Sequence, residues 1–307
     1  MPDNINFRPR RFGHVNLWVS DVEKSIQFYE MVLGIELVRR ERRLKIGFHS
    51  NGNTHHDIAV MEISRGMDRY DREGNVQVSK TRGTAVSLNH LGWEMTSEHE
   101  LVEAYKRAKQ FGNINFRTAD HLVAHSVYVS DPDGNLHEFY ADALEDWRTV
   151  FNLELEDEVT AEWNPLDVPP SVVHRYPVNA PTRLVRDAPL HPVRINRATL
   201  GTRNLNRMVE FLVNVGGFTL QGKGDGVAVF GGSAAGEDLH VIEVPKGEKI
   251  GLKAFSFVVD AEIEIFAATE RLKKMDIDVT LLESPGGPSL IVTDPDGFRI
   301  EIFTLPN

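Results

Sequence analysis

The chain has 307 residues, 41% hydrophobic and 26% charged, which is enough for two packed domains. Its formal charge of -11 disfavours a nucleic-acid partner, because phosphate backbones are gripped by clustered lysine and arginine, and no apolar run approaches the roughly 20 residues a membrane helix needs. Cysteine is absent, which excludes disulfides, thiolate metal sites and cysteine nucleophiles and leaves His, Asp, Glu or backbone oxygen to hold any metal.

The N-terminal MPDNINFRPRRF lacks the apolar stretch of a secretion signal, so a soluble cytoplasmic protein without a membrane partner is expected. Residues 13–38, GHVNLWVSDVEKSIQFYEMVLGIELV, predict a strand, then a helix capped by Asp21 with Ile26, Phe28, Tyr29 and Val32 inward, stopped at Gly34. The basic run from Arg39 to Arg43 contains Glu41 and reads as a solvated surface edge. A second strand-then-helix opening starts at Asn89, in NHLGWEMTSEHELVEAYKRAKQFG, and ends in short strands with DPDGNLHEF at residues 131–139.

Residues 143–192 hold Pro165, Pro169, Pro170, Pro177, Pro181, Pro189 and Pro192, too many for a continuous helix or a central strand. They read as an extended crossover. Beyond it the plan recurs: RATLGTRNLNRMVEFLVNVGGFTLQ from Arg197, KAFSFVVDAEIEIFAATERLKKMD from Lys253, and DPDGFRIEI at residues 294–302. The repeated Asp-Pro-Asp-Gly turn marks an internal duplication. The expected fold is α+β, with four βαβββ units at roughly 11–85, 88–142, 193–245 and 252–305, two units per domain. The domains are residues 1–142 and 193–307.

His14 and His90 sit at matching places in the opening strands of the first two units, and Glu138 lies in the last strand of the second. Taken singly, a strand histidine is more often structural than a ligand. Pairing the two units would bring the three side chains onto one inner wall, and two imidazoles with a carboxylate on one face is the facial triad of non-haem iron(II) oxygenases. The matching positions of the second half are Arg197, Ala254 and Glu301, so the histidines belong to one half alone. Arg197 and Glu301 are expected to form an ion pair.

GHVNLWVSD, NHLGWEM and DPDGNLHEFY together resemble the vicinal oxygen chelate superfamily, with its glyoxalase, bleomycin-resistance and dioxygenase members. Four units in about 300 residues with a His, His, Glu set resemble its type I extradiol dioxygenases, of the catechol 2,3-dioxygenase kind. The resemblance implies Fe(II), with Mn(II) as the alternative, held by His14, His90 and Glu138, and a catecholic diol and O2 as small-molecule partners of a homo-oligomer. His56 in THHDIAV matches the family acid and base; His121, with His125 as the neighbouring alternative, matches a second-sphere histidine. Tyr128 matches a tyrosine that hydrogen-bonds the diol, and Asn16 a position that contacts diol or oxygen. Familiar members usually carry the metal in the C-terminal domain, whereas here the N-terminal half carries the motif. Arg117 is a candidate contact for an anionic substituent, and the crossover is expected to fold over the mouth of the N-terminal cleft. Two rival readings are a glyoxalase-type metal-dependent lyase or isomerase, for which Glu62 is the nearby extra carboxylate, and a metal-free ligand-binding protein.

Overall fold

In a computed structural model of the chain, residues 5–110, 114–151, 161–176, 181–234, 236–284 and 287–305 are described. The first unit contributes β1 (Arg11–Val19), α1 (Val22–Met31), β2 (Glu36–Glu41), β3 (Ile46–Ser50) and β4 (Ile58–Glu62), followed by a small hairpin of β5 (Arg69–Tyr70) and β6 (Val76–Val78). The second contributes β7 (Ser87–Glu94), α2 (Glu98–Gln110), β8 (Phe116–Asp120), β9 (Ala124–Ser130) and β10 (Leu136–Asp142). Together they form an eight-stranded sheet in the order β2-β3-β4-β1-β7-β10-β9-β8.

The second half repeats this with β11 (Arg194–Thr202), α3 (Leu205–Phe211), β12 (Thr219–Gly224), β13 (Val227–Gly231), β14 (Leu239–Glu243), β15 (Gly251–Val258), α4 (Glu262–Lys274), β16 (Val279–Ser284), β17 (Gly287–Thr293) and β18 (Arg299–Phe303). Its sheet order, β12-β13-β14-β11-β15-β18-β17-β16, is the same topology. The α+β fold of four βαβββ units is therefore present as expected.

Local chemistry accounts for the elements. The Asp21 side chain accepts from the backbone N–H of Glu23 and Lys24 and starts α1, whose Ile26, Phe28 and Tyr29 are buried against the sheet. Gly34 ends the turn with φ +71°, a conformation that favours glycine. In the repeated turns, Asp131 Oδ1 accepts from Asp133 N and Asn135 N, both at 2.9 Å, and Asp294 Oδ1 accepts from Asp296 N and Phe298 N at 2.9 and 2.8 Å. Asp71 makes the same turn, accepting from Glu73 N and Asn75 N at 2.9 Å.

The halves are joined by a reciprocal exchange of buried carboxylates. Asp57, just before β4, accepts from Ile195 N of the second half at 3.2 Å. Asp238, just before β14, accepts from Phe12 N of the first at 2.8 Å. Tyr29 Oη donates to Asp294 Oδ2 at 2.8 Å, and Thr202 Oγ1 donates to Asp133 Oδ2 at 2.5 Å.

The reading of residues 39–43 as a solvated edge is corrected by the structure. Arg39, Arg40 and Glu41 are 2%, 7% and 1% exposed, and only Arg42 and Arg43 of the run are exposed. Arg39 Nε donates to Glu41 Oε1 at 2.5 Å and Nη1 donates to Val150 O at 3.3 Å, while Arg40 Nη1 donates to Ile46 O at 2.7 Å. The cause is the crossover, which the local pattern could not reveal: its Trp147 and Phe151 pack with Val38, Val123, Ala124 and Tyr140 in a small core of their own. Farther along, Arg183 donates to Glu36, and Trp163 stacks on His125 with ring centroids 4.5 Å apart. Pro177 lies outside the described residues.

Asp57 also accepts from Asn51 N at 2.9 Å. Asp57→Ala would leave two buried N–H groups without an acceptor, and the expected loss is about 2–4 kcal/mol in chemical denaturation. Burial pushes the Asp57 carboxyl up to about 6, against the hydrogen bonds of Asn51 and Ile195 that oppose the rise. A raised carboxyl contributes most below its unfolded value near 3.8, and that contribution fades as pH climbs through 6. The stability gap between wild type and Asp57→Ala should therefore narrow from pH 4 to pH 7.

Candidate metal centre

Strand register assembles the site. In β1 His14 lies opposite Gly92 of β7; Gly92 lies opposite Glu138 of β10; Glu138 lies opposite Tyr128 of β9; and Tyr128 lies opposite Arg117 of β8. One row across five strands thus reads His14, Gly92, Glu138, Tyr128, Arg117, with His90 two residues from Gly92 and on the same face of the pleat. Gly92 is the missing side chain over which its neighbours meet: a Cβ there would lie 2.1 Å from His14 Nε2.

His14 Nε2 and His90 Nε2 each lie 2.9 Å from Glu138 Oε2 and 3.3 Å from one another. Burial lowers His14 to about 4, although Glu138 pulls the other way, so its imidazole is neutral near pH 7. Burial would raise Glu138, but the imidazoles of His90 and His14 more than offset this and hold it well below the usual carboxylate range. Two imidazole nitrogens and an ionised carboxylate converge with no protein cation between them, and this donor set fits a divalent metal. His90 Nδ1 lies 3.1 Å from Asn89 Oδ1, which would fix the tautomer with its Nε2 lone pair facing the centre. His14 Nδ1 is buried without a partner; its ring is held by packing, 4.0 Å from the His56 ring and 5.0 Å from that of Tyr140, centroid to centroid.

The other sequence-predicted residues gather around this point. A cavity of about 130 Å³ is lined by Asn16, His56, His90, Arg117, His121, Tyr128 and Glu138 among others. Tyr128 Oη donates to Glu138 Oε1 at 2.6 Å and lies 2.8 Å from His121 Nε2. His125 is turned elsewhere, with Nδ1 2.6 Å from Glu98 Oε1, which leaves His121 as the histidine at the site. Both ring nitrogens of His56 are buried without a partner, and burial, then the adjacent His14, lowers its pKa well below 6.5. Asn16 Oδ1 is likewise unpartnered. Glu62 is engaged elsewhere, accepting from Lys45 Nζ at 2.6 Å.

Sequence reasoning overlooked Gly92, Asn89 and Tyr140, and held His55 only as the alternative to its neighbour His56. His55 Nδ1 is 3.2 Å from Asp142 Oδ1, its ring faces the cavity, and together with His14 and His56 it forms a second cluster of convergent nitrogens. Gly92 had left a signal, since a glycine inside a strand often marks a close approach. In the second half the corresponding row begins Arg197, Ser256, Glu301. Arg197 Nη2 donates to Glu301 Oε2 at 2.8 Å and its guanidinium lies over Phe303, so the position of the triad is occupied by an ion pair.

The family model described as Glyoxalase/Bleomycin resistance protein/Dioxygenase superfamily matches residues 11–139 and 194–302. Lactoylglutathione lyase of Neisseria meningitidis is 33% identical over 137 residues, covering 42% of this chain and 88% of that protein. Catechol-2,3-dioxygenase of Bacillus subtilis is 22% identical over 292 residues, covering 92% of this chain and 93% of that protein. The solved structure of the 2,3-dioxygenase LapB from Pseudomonas sp. KL28 aligns with a TM-score of 0.67 at 17% identity, covering 97% of this chain and 92% of that one.

Because an added methyl would displace the His14 imidazole, Gly92→Ala should lose metal retention at least tenfold although glycine offers no ligand. Metal analysis after anaerobic loading with Fe(II) reads this, with circular dichroism to confirm folding. Glu138→Gln should likewise lose the ion, while Glu301→Gln keeps one per chain. Normal metal content in Glu138→Gln, or its loss in Glu301→Gln, would show that the site lies elsewhere.

Proposed function

The chain belongs to the Glyoxalase/Bleomycin resistance protein/Dioxygenase superfamily, and within it we propose that this protein is an extradiol dioxygenase. In this reading it opens the ring of a catecholic diol beside its two hydroxyls and incorporates both atoms of O2, with Fe(II) held by His14, His90 and Glu138. The observation that carries the proposal is the convergence of that ligand set at a cavity wall where His90 and Glu138 meet an uncommitted neutral base, His56. The near full-length similarity to a catechol-2,3-dioxygenase supports it.

Bound iron(II), or manganese(II) as the alternative, would supply adjacent coordination positions and the redox coupling between diol and dioxygen. The chain's own residues do the rest. His56, neutral and without a protein partner, accepts a proton from a diol hydroxyl and returns it later in the cycle. Tyr128, its phenol kept protonated by burial and by the charge of Glu138, donates its hydrogen bond to Glu138, lies against His121 Nε2, and leaves its oxygen to accept from a diol hydroxyl. Asn16, whose Oδ1 has no partner, lines the same space. Phe48, Met61, Val123 and Phe151 line the cavity and exclude water, the last of these from the crossover. With Phe151 on its wall, the crossover limits substrate size.

A glyoxalase-type lyase or isomerase would draw a further carboxylate from the first unit, and Glu62 is committed to Lys45. A metal-free binding protein gives no reason to bury Glu138 between two imidazoles.

Iron-loaded protein should consume oxygen and form a yellow ring-opened product with at least one member of a catechol panel. His56→Ala should retain iron and slow turnover about a hundredfold, and Tyr128→Phe should be milder. The absence of oxygen uptake with every catechol would overturn the proposal, and wild-type turnover in His56→Ala would move the proton-handling role to His55 or His121.

A further inference from the structure

Several arginines around the N-terminal sheet are tied to acids, Arg10 and Arg11 to Glu94, Arg39 to Glu41, Arg40 to Glu23 and Arg183 to Glu36, and others such as Arg69 and Arg107 donate to backbone carbonyls. Arg82 and Arg117 depart from this pattern. Both line the cavity, and among the described residues neither guanidinium has a carboxylate within salt-bridge distance, although the chain carries 45 acids against 34 lysines and arginines.

Their placement is specific. Arg117 ends the register row that starts at His14, and its guanidinium sits 4.1 Å from the centre of the Tyr128 ring. Arg82 comes from the loop between β6 and β7, in a segment with no counterpart in the other units. It is exposed as a residue and lines the same cavity as Arg117, and desolvation, then the charge of Arg117, hold it below its ordinary pKa. With Gln77, both also line an outer groove walled by Ala161, Glu162, Trp163, Asn164 and Asp167 of the crossover, and neither of these acids forms an ion pair with Arg82 or Arg117. They stand where the inner cavity opens into that groove.

Two neighbouring like charges without a counter-ion repel, and an anion between them relieves this; a carboxylate suits the planar guanidinium fork. We infer that the substrate carries a carboxylate on a side arm, bound by Arg82 and Arg117 at the neck, one tyrosine ring away from the end of the cavity where the diol lies. This rests on the dioxygenase reading and adds to it the substrate class: an acidic catechol.

The test compares 3,4-dihydroxyphenylacetate and 3-(2,3-dihydroxyphenyl)propionate with their methyl esters, which keep the shape and remove the charge. Iron-loaded protein should favour at least one acid over its ester by tenfold or more in kcat/KM. Anaerobic equilibrium binding of that acid should weaken as salt rises, and that of the ester should not. Arg82→Gln should bring acid and ester together in both measurements, and Arg82→Lys should restore part of the difference. If esters and acids bind and react alike, or if Arg82→Gln leaves the preference intact, the inference falls while the dioxygenase reading stands. If no catechol consumes oxygen but the acid still binds in a salt-sensitive, Arg82-dependent way, the anion site stands and the dioxygenase reading falls.

Discussion

The register of β1, β7, β10, β9 and β8 is the constraint from which the rest of the N-terminal half follows. It aligns His14, Gly92, Glu138, Tyr128 and Arg117 in one row, and a slip of one residue in any pairing would turn a member to the opposite face. The central place in the row between His14 and Glu138 belongs to the one residue without a side chain. A larger residue would push the imidazole from the carboxylate. Burying an ionised Glu138 is costly unless it is paired and hydrogen-bonded, and its partners here are two imidazoles and the Tyr128 hydroxyl. The centre is thus a place where the fold gives up stability to hold polar groups, and a bound cation would return part of it.

The second half supports that row from behind. Asp238 holds the backbone N–H of Phe12, two residues before His14, and the backbone of Asp57, whose carboxylate is bound to the second half, accepts from Val15 N, the residue after His14. The strand carrying the first histidine is therefore fixed on both sides of it by the pseudo-symmetric exchange. The second half bears no comparable polar burden, because Arg197 and Glu301 satisfy each other in a less buried setting. Duplication explains this asymmetry: one copy kept the donors, and the other kept the reciprocal contacts.

Much of this was legible in the sequence because it was written twice. The repeated Asp-Pro-Asp-Gly turns fixed the alignment of the units, and the contrast of His14 and His90 with Arg197 and Ala254 separated chemistry from scaffold. Features without a second copy were hidden. Arg82 lies in a loop of the first unit that no other unit repeats, so no internal comparison could single it out. Arg39 looked solvated because the ring that its guanidinium packs on, Phe151, is more than a hundred positions away. Gly92 was visible as a residue, but its meaning depends on cross-strand register, which no local pattern states.

The cavity histidines differ in what already occupies them, and this separates their roles better than their positions do. His55 is bound to Asp142, His90 to Asn89 and Glu138, and His121 to the Tyr128 hydroxyl. His56 has no polar partner on either ring nitrogen and packs against His14 and Phe48. A buried imidazole that no protein group satisfies on either nitrogen costs stability unless another polar group pairs with it. His56, unpartnered on both ring nitrogens, and Arg82 and Arg117, without a carboxylate in salt-bridge distance among the described residues, line one cavity and are the groups that the proposed substrate would satisfy.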